Sequence, residues 1–276
     1  MPTAASASRI SPPAARDGDA EAPPQVHTRR GVRSLEFQPG MVQSAMRVAD
    51  PDRLVLSYSR AMMCFVLFQP RPRHIVMVGL GGGSLAKFCY RNLPDSRITV
   101  LELRADVIAL RDEFAIPRDD GRFQVIQADA AEYMARLRGS VDVLLVDGFD
   151  EHGLPPALGS ARFYADCRRA LRPDGVLVAN IFIYDPHYGA MLRRLRQRFG
   201  GHLCRFAGIA GNNRIIFAVH DGSGAGNHAA GRPSAALRVQ QRVARHHGWL
   251  PGAGLLRGVA NRLLARWIVF RLWRAG

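Results

Sequence analysis

The stretch HIVMVGLGGGSLAKF, residues 74–88, sets the tightest limit on what this chain can become. An apolar run enters a turn carrying Gly79, Gly81, Gly82 and Gly83, and a helical pattern leaves it from Ser84. A glycine-rich turn between a strand and a helix lets backbone N–H groups approach a ligand closely, and it typically holds a nucleotide.

The rest of the central sequence repeats that alternation. Strands are expected at 74–79, 98–103, 123–127, 141–147, 176–183 and 215–220, and helices at 84–92, 105–114, 130–137, 160–171 and 186–199. Asp185-Pro186 supplies a cap and a first-turn proline for the last helix. Short links between alternating elements predict an α/β fold: a doubly wound, mostly parallel seven-stranded sheet covered on both faces, the class I methyltransferase-like arrangement. The segment GNNRIIFAV is read as a turn into an antiparallel edge strand.

Four segments are expected. Residues 1–30, rich in Ala, Pro and Ser, bury too little surface to order and are read as disordered. Residues 31–70 combine a β-hairpin around Pro39-Gly40 with a buried helix over 53–68. Residues 71–221 form the Rossmann-like domain, and 222–276 a linker with a basic amphipathic tail. Residues 222–276 hold nine arginines and no acid. Leu256, Val259, Leu263, Trp267 and Phe270 share one helical face, and Arg262 and Arg266 share another. Such a helix could lie on a membrane surface; docking on the domain or a second subunit is the more economical reading.

The net charge of +15 first suggests nucleic acid. Lys87 is the only lysine, however, and no nucleic-acid-binding motif accompanies the arginines, so no nucleic-acid substrate is expected. Cys64, Cys89, Cys167 and Cys204 are scattered without a C-x-x-C pair, as reduced core cysteines are. No signal peptide or apolar span is present in this sequence, and a cytoplasmic protein without a metal is expected.

Gly79-x-Gly81-x-x-Ser84 approaches the dinucleotide pattern, with Glu102 at the distance for a ribose hydroxyl. Asp129 and Asp147 end the next two strands, and ligands of doubly wound sheets bind outside those carboxyl ends. A nicotinamide site needs neither acid, so an oxidoreductase leaves both without roles. The chain resembles the spermidine synthase (polyamine aminopropyltransferase) family within the class I S-adenosylmethionine-dependent methyltransferase fold. The resemblance spans about 37–219 and is carried by MVQSAM with Gln43, Tyr58 in LVLSYSRAMM, the glycine loop, VLELRADVI, VIQADA and VDVLLVDGFDEHGLPP, followed by Phe163-Tyr164 and a P-x-G turn.

That resemblance implies aminopropyl transfer from decarboxylated S-adenosylmethionine to putrescine or a related small amine, and a possible homodimer. Asp147 would orient and deprotonate the attacking amine. Asp150, Gln43 and Tyr58 would hold the rest of the amine. Gly79, Gly81, Gly82, Gly83, Glu102 and Asp129 would bind the cofactor, Glu102 at the ribose and Asp129 at the adenine amino group. Three departures stand out. Gly82 replaces a loop acid, Tyr58-Ser59-Arg60 replaces Tyr-His-Glu, and Phe149 and Glu151 flank Asp150 where the family has a small polar residue and a proline. If Arg60 faces the crevice, ordinary S-adenosylmethionine becomes the better-matched cofactor. A methyltransferase and a non-catalytic nucleoside-binding relative are therefore the alternatives.

Overall fold

The computed structural model describes residues 23–149, 153–206, 212–222, 235–248 and 254–275. Three antiparallel strands come first: β1 (Gln25–Arg29), β2 (Val32–Glu36) and β3 (Val42–Arg47). Helix α1 (Ser57–Met62) follows and continues as a 3₁₀ turn, Met63–Leu67. The main domain alternates β4 (His74–Val78), α2 (Ser84–Asn92), β5 (Arg97–Glu102), α3 (Ala105–Ala109), β6 (Phe123–Gln127), α4 (Ala130–Met134), β7 (Val141–Val146), α5 (Ala161–Ala170), β8 (Leu171–Phe182) and α6 (Tyr188–Arg198). It closes with β9 (Leu203–Phe206) and β10 (Asn213–Val219), and two helices follow, α7 (Ala235–Gly248) and α8 (Gly254–Ala275).

The seven-stranded sheet has the order β6-β5-β4-β7-β8-β10-β9, parallel except at β10, which runs antiparallel to both of its neighbours. Every residue of β4 and β7 is buried, as expected of parallel strands covered on both faces. The chain reverses strand order between β4 and β7, and this switch point is where such sheets bind ligands.

Several expectations are corrected. The stretch read as disordered through residue 30 contains β1, which only half-buries Val26. A two-residue turn makes that strand, with Arg30 at φ 49° and Gly31 at φ 74°, the paired left-handed backbone that favours tight hairpins. The rest of the disorder expectation, 1–22, lies outside the described residues, as do Asp150 and the linker 223–234. Helix α3 stops at Ala109, not Phe114, because the chain turns inward to bury Phe114 and Ile116. Helix α6 begins at Tyr188, and Asp185 caps the preceding turn by accepting from the His187 N–H at 2.7 Å. Strand β10 is not the edge; the short β9 lies outside it and is covered by α7, whose Gln240 donates to the Leu203 carbonyl at 2.8 Å. In α8, the stripe expected to dock is the exposed one. Ala265 and Ile268 face the core instead, with Leu264 and Leu272 packed against it.

All four cysteines are buried and free. The single lysine is buried too: Lys87 on α2 donates to the Phe114 carbonyl at 2.5 Å and lies 3.0 Å from the Met46 sulfur, tying α2 to β3 and to the loop after α3. Burial pulls its pKa down from 10.5 to about 8. Below pH 8 both folded and unfolded chains hold the proton and the folded state bears the full desolvation cost; between 8 and 10.5 the unfolded chain holds more protons, so stability rises with pH. Denaturant midpoints of the wild type and Lys87→Met should therefore converge or cross in favour of the wild type across that window. Parallel pH profiles would show that Lys87 is not the buried cation described.

Candidate active site

A cavity of about 440 Å³ opens at the carboxyl ends of the central strands, under β3 and the start of α1. Its floor comes from the turns after β4, β5, β6 and β7, and Phe37, Gln43, Ser44 and Tyr58 form the other wall. The N-terminal sheet is thus a cover over the switch point.

Gly79 has φ 92°, and a Cβ there would lie 2.5 Å from the Asp147 carbonyl oxygen. The turn after β4 can press against the turn after β7 only without a side chain. The four glycines do not share one role. Gly79 and Gly81 line the cavity. A Cβ on Gly82 would lie 2.7 Å from both Phe114 and Ser44 side-chain atoms, and one on Gly83 would lie 2.5 Å from Ile116. Gly82 and Gly83 therefore face the protein, not the ligand space. A Cβ on Gly81 meets only Ser44, at 3.7 Å. Of these loop positions lining the cavity, Gly81 is the one with room for a Cβ, whereas one on Gly82 would crowd Phe114 and Ser44.

Glu102 ends β5 with one oxygen accepting from the Leu80 N–H at 2.8 Å and the other from the Arg104 N–H at 3.0 Å. Burial raises its pKa against these backbone bonds. The carboxylate fixes the glycine loop and lines the cavity beside it. Asp129 lines the cavity as the cap of α4, its Oδ1 accepting from the Ala131 N–H at 2.7 Å and leaving Oδ2 available.

Asp147 is the most perturbed acid. The protein packed around its carboxyl pushes the pKa up from 3.8 to about 7, opposed by hydrogen bonds from Asn180 and Tyr58. Asn180 Nδ2 donates to Asp147 Oδ1 at 2.8 Å, and Asn213 Nδ2 donates to Asn180 Oδ1 at the same distance. Asn213 thereby fixes which way the Asn180 amide points. The Tyr58 hydroxyl also lies 3.3 Å from the Gln43 carbonyl, and its pKa is raised by burial and by the adjacent Asp147 charge. Sequence reasoning missed Asn180 and Asn213. A signal existed, since an Asn interrupting the apolar run VLVANIF asks for a partner.

Arg60 is not in this wall. Its guanidinium donates to the Leu54 and Val55 carbonyls, both at 2.7 Å. The charged residues lining the cavity, among those described, are Glu102, Asp129, Asp147 and Arg104, and Arg104 is paired with Asp106 at 2.7 Å. Phe149 and Phe182 pack at a 52° tilt with centroids 4.6 Å apart and give the Asp147 end an apolar side.

A family model described as the spermine/spermidine synthase domain matches residues 55–195. The polyamine aminopropyltransferase of Chromobacterium violaceum is 40% identical over 201 residues, covering 72% of this chain and 77% of its own. That of Neisseria meningitidis is 41% identical over 189 residues, covering 68% and 72%. A crystal structure of spermidine synthase in complex with the transition state analogue AdoDATO superposes with a TM-score of 0.61 at 18% identity, over 88% of this chain and 87% of that one, a likeness of fold.

The raised pKa of Asp147 makes a stability prediction. Below pH 3.8 the carboxyl is protonated in both states; as pH climbs through about 7 the unfolded chain ionises first and the folded state loses stability. Asp147→Asn removes that loss. It should exceed the wild type by on the order of 4 kcal/mol above the folded pKa and match it in acid. Equal urea midpoints at both ends would mean that the carboxyl is solvated.

Proposed function

The chain belongs to the spermine/spermidine synthase family, and we propose that it transfers an aminopropyl group from decarboxylated S-adenosylmethionine to putrescine or a related amine. One observation carries the reading. A carboxyl with pKa about 7 sits in the cavity wall, and the other charges lining it among the described residues are two acids and one paired arginine. Such a wall favours cations and offers a carboxylated cofactor no free partner. With Arg60 turned to the Leu54 and Val55 carbonyls, the methyltransferase alternative loses one of the residues that favoured it.

The cavity suits the nucleoside in size and in acceptors. Glu102 takes the ribose hydroxyls, Asp129 the adenine amino group, and Gly79 and Gly81 let the backbone approach the thioether side. Gln43 and Tyr58 close the amine pocket, and Asp150, outside the described residues, holds the distal ammonium. In the transfer, the amine lone pair forms the new C–N bond as the C–S bond breaks. The sulfonium takes that bonding pair and leaves as neutral methylthioadenosine. Asp147, held by Asn180 and Tyr58, accepts the amine proton and passes it to solvent. A base whose pKa lies near the working pH suits this task.

Calorimetry with decarboxylated S-adenosylmethionine, S-adenosylmethionine and methylthioadenosine, followed by methylthioadenosine release with putrescine, tests the reading. The decarboxylated donor should bind more tightly than the carboxylated one and turn over. Preference for the carboxylated form without release of methylthioadenosine would overturn it. Asp147→Asn should lower kcat by roughly 10²–10⁴-fold while retaining methylthioadenosine binding. For the wild type, kcat/KM should climb with pH and level off above about 7, the free-enzyme pKa of Asp147.

A further inference from the structure

Helix α8 is 22 residues long, about 33 Å at the helical rise. It packs on α1, α2 and the 3₁₀ turn through Ala265, Ile268, Leu264 and Leu272. Its opposite face is also apolar: Leu263 is 59% exposed, Trp267 54%, Phe270 50% and Trp273 57%, with Val259 beside them. Among the described residues nothing covers this stripe, and an exposed apolar stripe on a surface helix marks a binding face.

The charges around the stripe say what covers it. At the helical repeat, Arg262 and Arg266 run along one side of the stripe and Arg271 along the other. Arg271 lies over the Trp267 ring at 5.4 Å and Arg274 over Phe270 at 5.8 Å, so guanidinium groups and rings point the same way. Arg60 adds positive charge near Arg266. The sequence contains no acid after Asp221. A second copy laid against this face would set these arginines against their own counterparts. Among the described residues no helix is long and apolar enough to cross a membrane.

We propose that the outer face of α8 lies in the interface of an anionic phospholipid bilayer. Leu263, Trp267 and Phe270 enter the headgroup–acyl boundary while the flanking arginines reach lipid phosphates. Trp suits that depth, having an apolar body and one polar N–H. The tail would then hold the enzyme on a membrane, with the cavity left to its own substrates.

The test uses the full chain and vesicles of phosphatidylcholine alone or mixed with phosphatidylglycerol, read by co-sedimentation and tryptophan fluorescence. The expected result is binding to the mixed vesicles, weak binding to phosphatidylcholine, loss at high salt and a blue shift on binding. The double variant Leu263→Ser/Trp267→Ser, whose changes are on the exposed side, should bind at least tenfold more weakly with aminopropyl transfer intact. Arg262→Gln/Arg266→Gln/Arg271→Gln should lose roughly a hundredfold, about fivefold for each arginine. No binding to mixed vesicles, or binding that neither variant weakens, overturns the proposal. So does a wild-type oligomer, seen by light scattering, that the double variant dissociates, since a second copy would then occupy the face.

Discussion

The approach of Gly79 to Asp147 is the contact on which the site depends. Parallel pairing of β4 with β7 brings the two strand ends together, and the Asp147 N–H donates to the Val78 carbonyl at 2.9 Å. With a would-be Cβ 2.5 Å from the Asp147 oxygen, any side chain at residue 79 would push the two turns apart. The glycine loop, bound on its other side by Glu102, then has one available path, and the cavity between loop and acid has one shape. The Asp147 carboxyl lies buried beside this contact, three strands' width from the nearest edge of the sheet, and burial shifts its proton affinity upward.

Much of this was legible in the sequence because the signals are local. Acids at the ends of LEL, IQAD and LLVD, after a glycine loop, need only the rule that parallel strands present their carboxyl ends together. What stayed hidden depended on neighbours distant along the chain. Gly82 and Gly83 are forced by Phe114 and Ile116, about thirty residues on, so nothing in the loop itself told them from Gly81. Arg60 reads as a charge on a cavity-facing helix until the Leu54 and Val55 carbonyls are seen to take its guanidinium. Strand β1 has no apolar alternation; its turn alone creates it.

The electrostatics of the whole chain and of its site point in opposite directions. A protein of net charge +15 repels a polyamine at long range, yet the cavity wall is acidic. The conflict is limited by distance. At physiological salt, charges more than about 8 Å apart are largely screened, and the interior of a cleft is screened less than the surface. Arginine also finds uses that leave no free charge facing the cavity: Arg104 pairs with Asp106, Arg60 caps carbonyls, and Arg172 pairs with Asp142 at 3.1 Å. The local field in the cleft can therefore be negative inside a strongly positive molecule.

Helix α8 shows how a sequence stripe can be real and still be placed on the wrong side. Its residues are apolar on two opposed faces, so the inward face could not be chosen from amphipathicity alone. Packing decides it by size and shape. Ala265 lets the helix approach closely, and Ile268 fills the groove beside it, whereas Trp267 and Trp273 are too bulky for that seam and carry an N–H that a dry interface would leave unpaired. The small, purely apolar side chains go inward, and the aromatic, arginine-flanked side goes out. A docked helix normally spends its outer face on charged residues for solubility. Here that face holds large aromatic side chains between arginines, with no acid to balance them. That is an arrangement water alone does not favour and an anionic, amphipathic surface does.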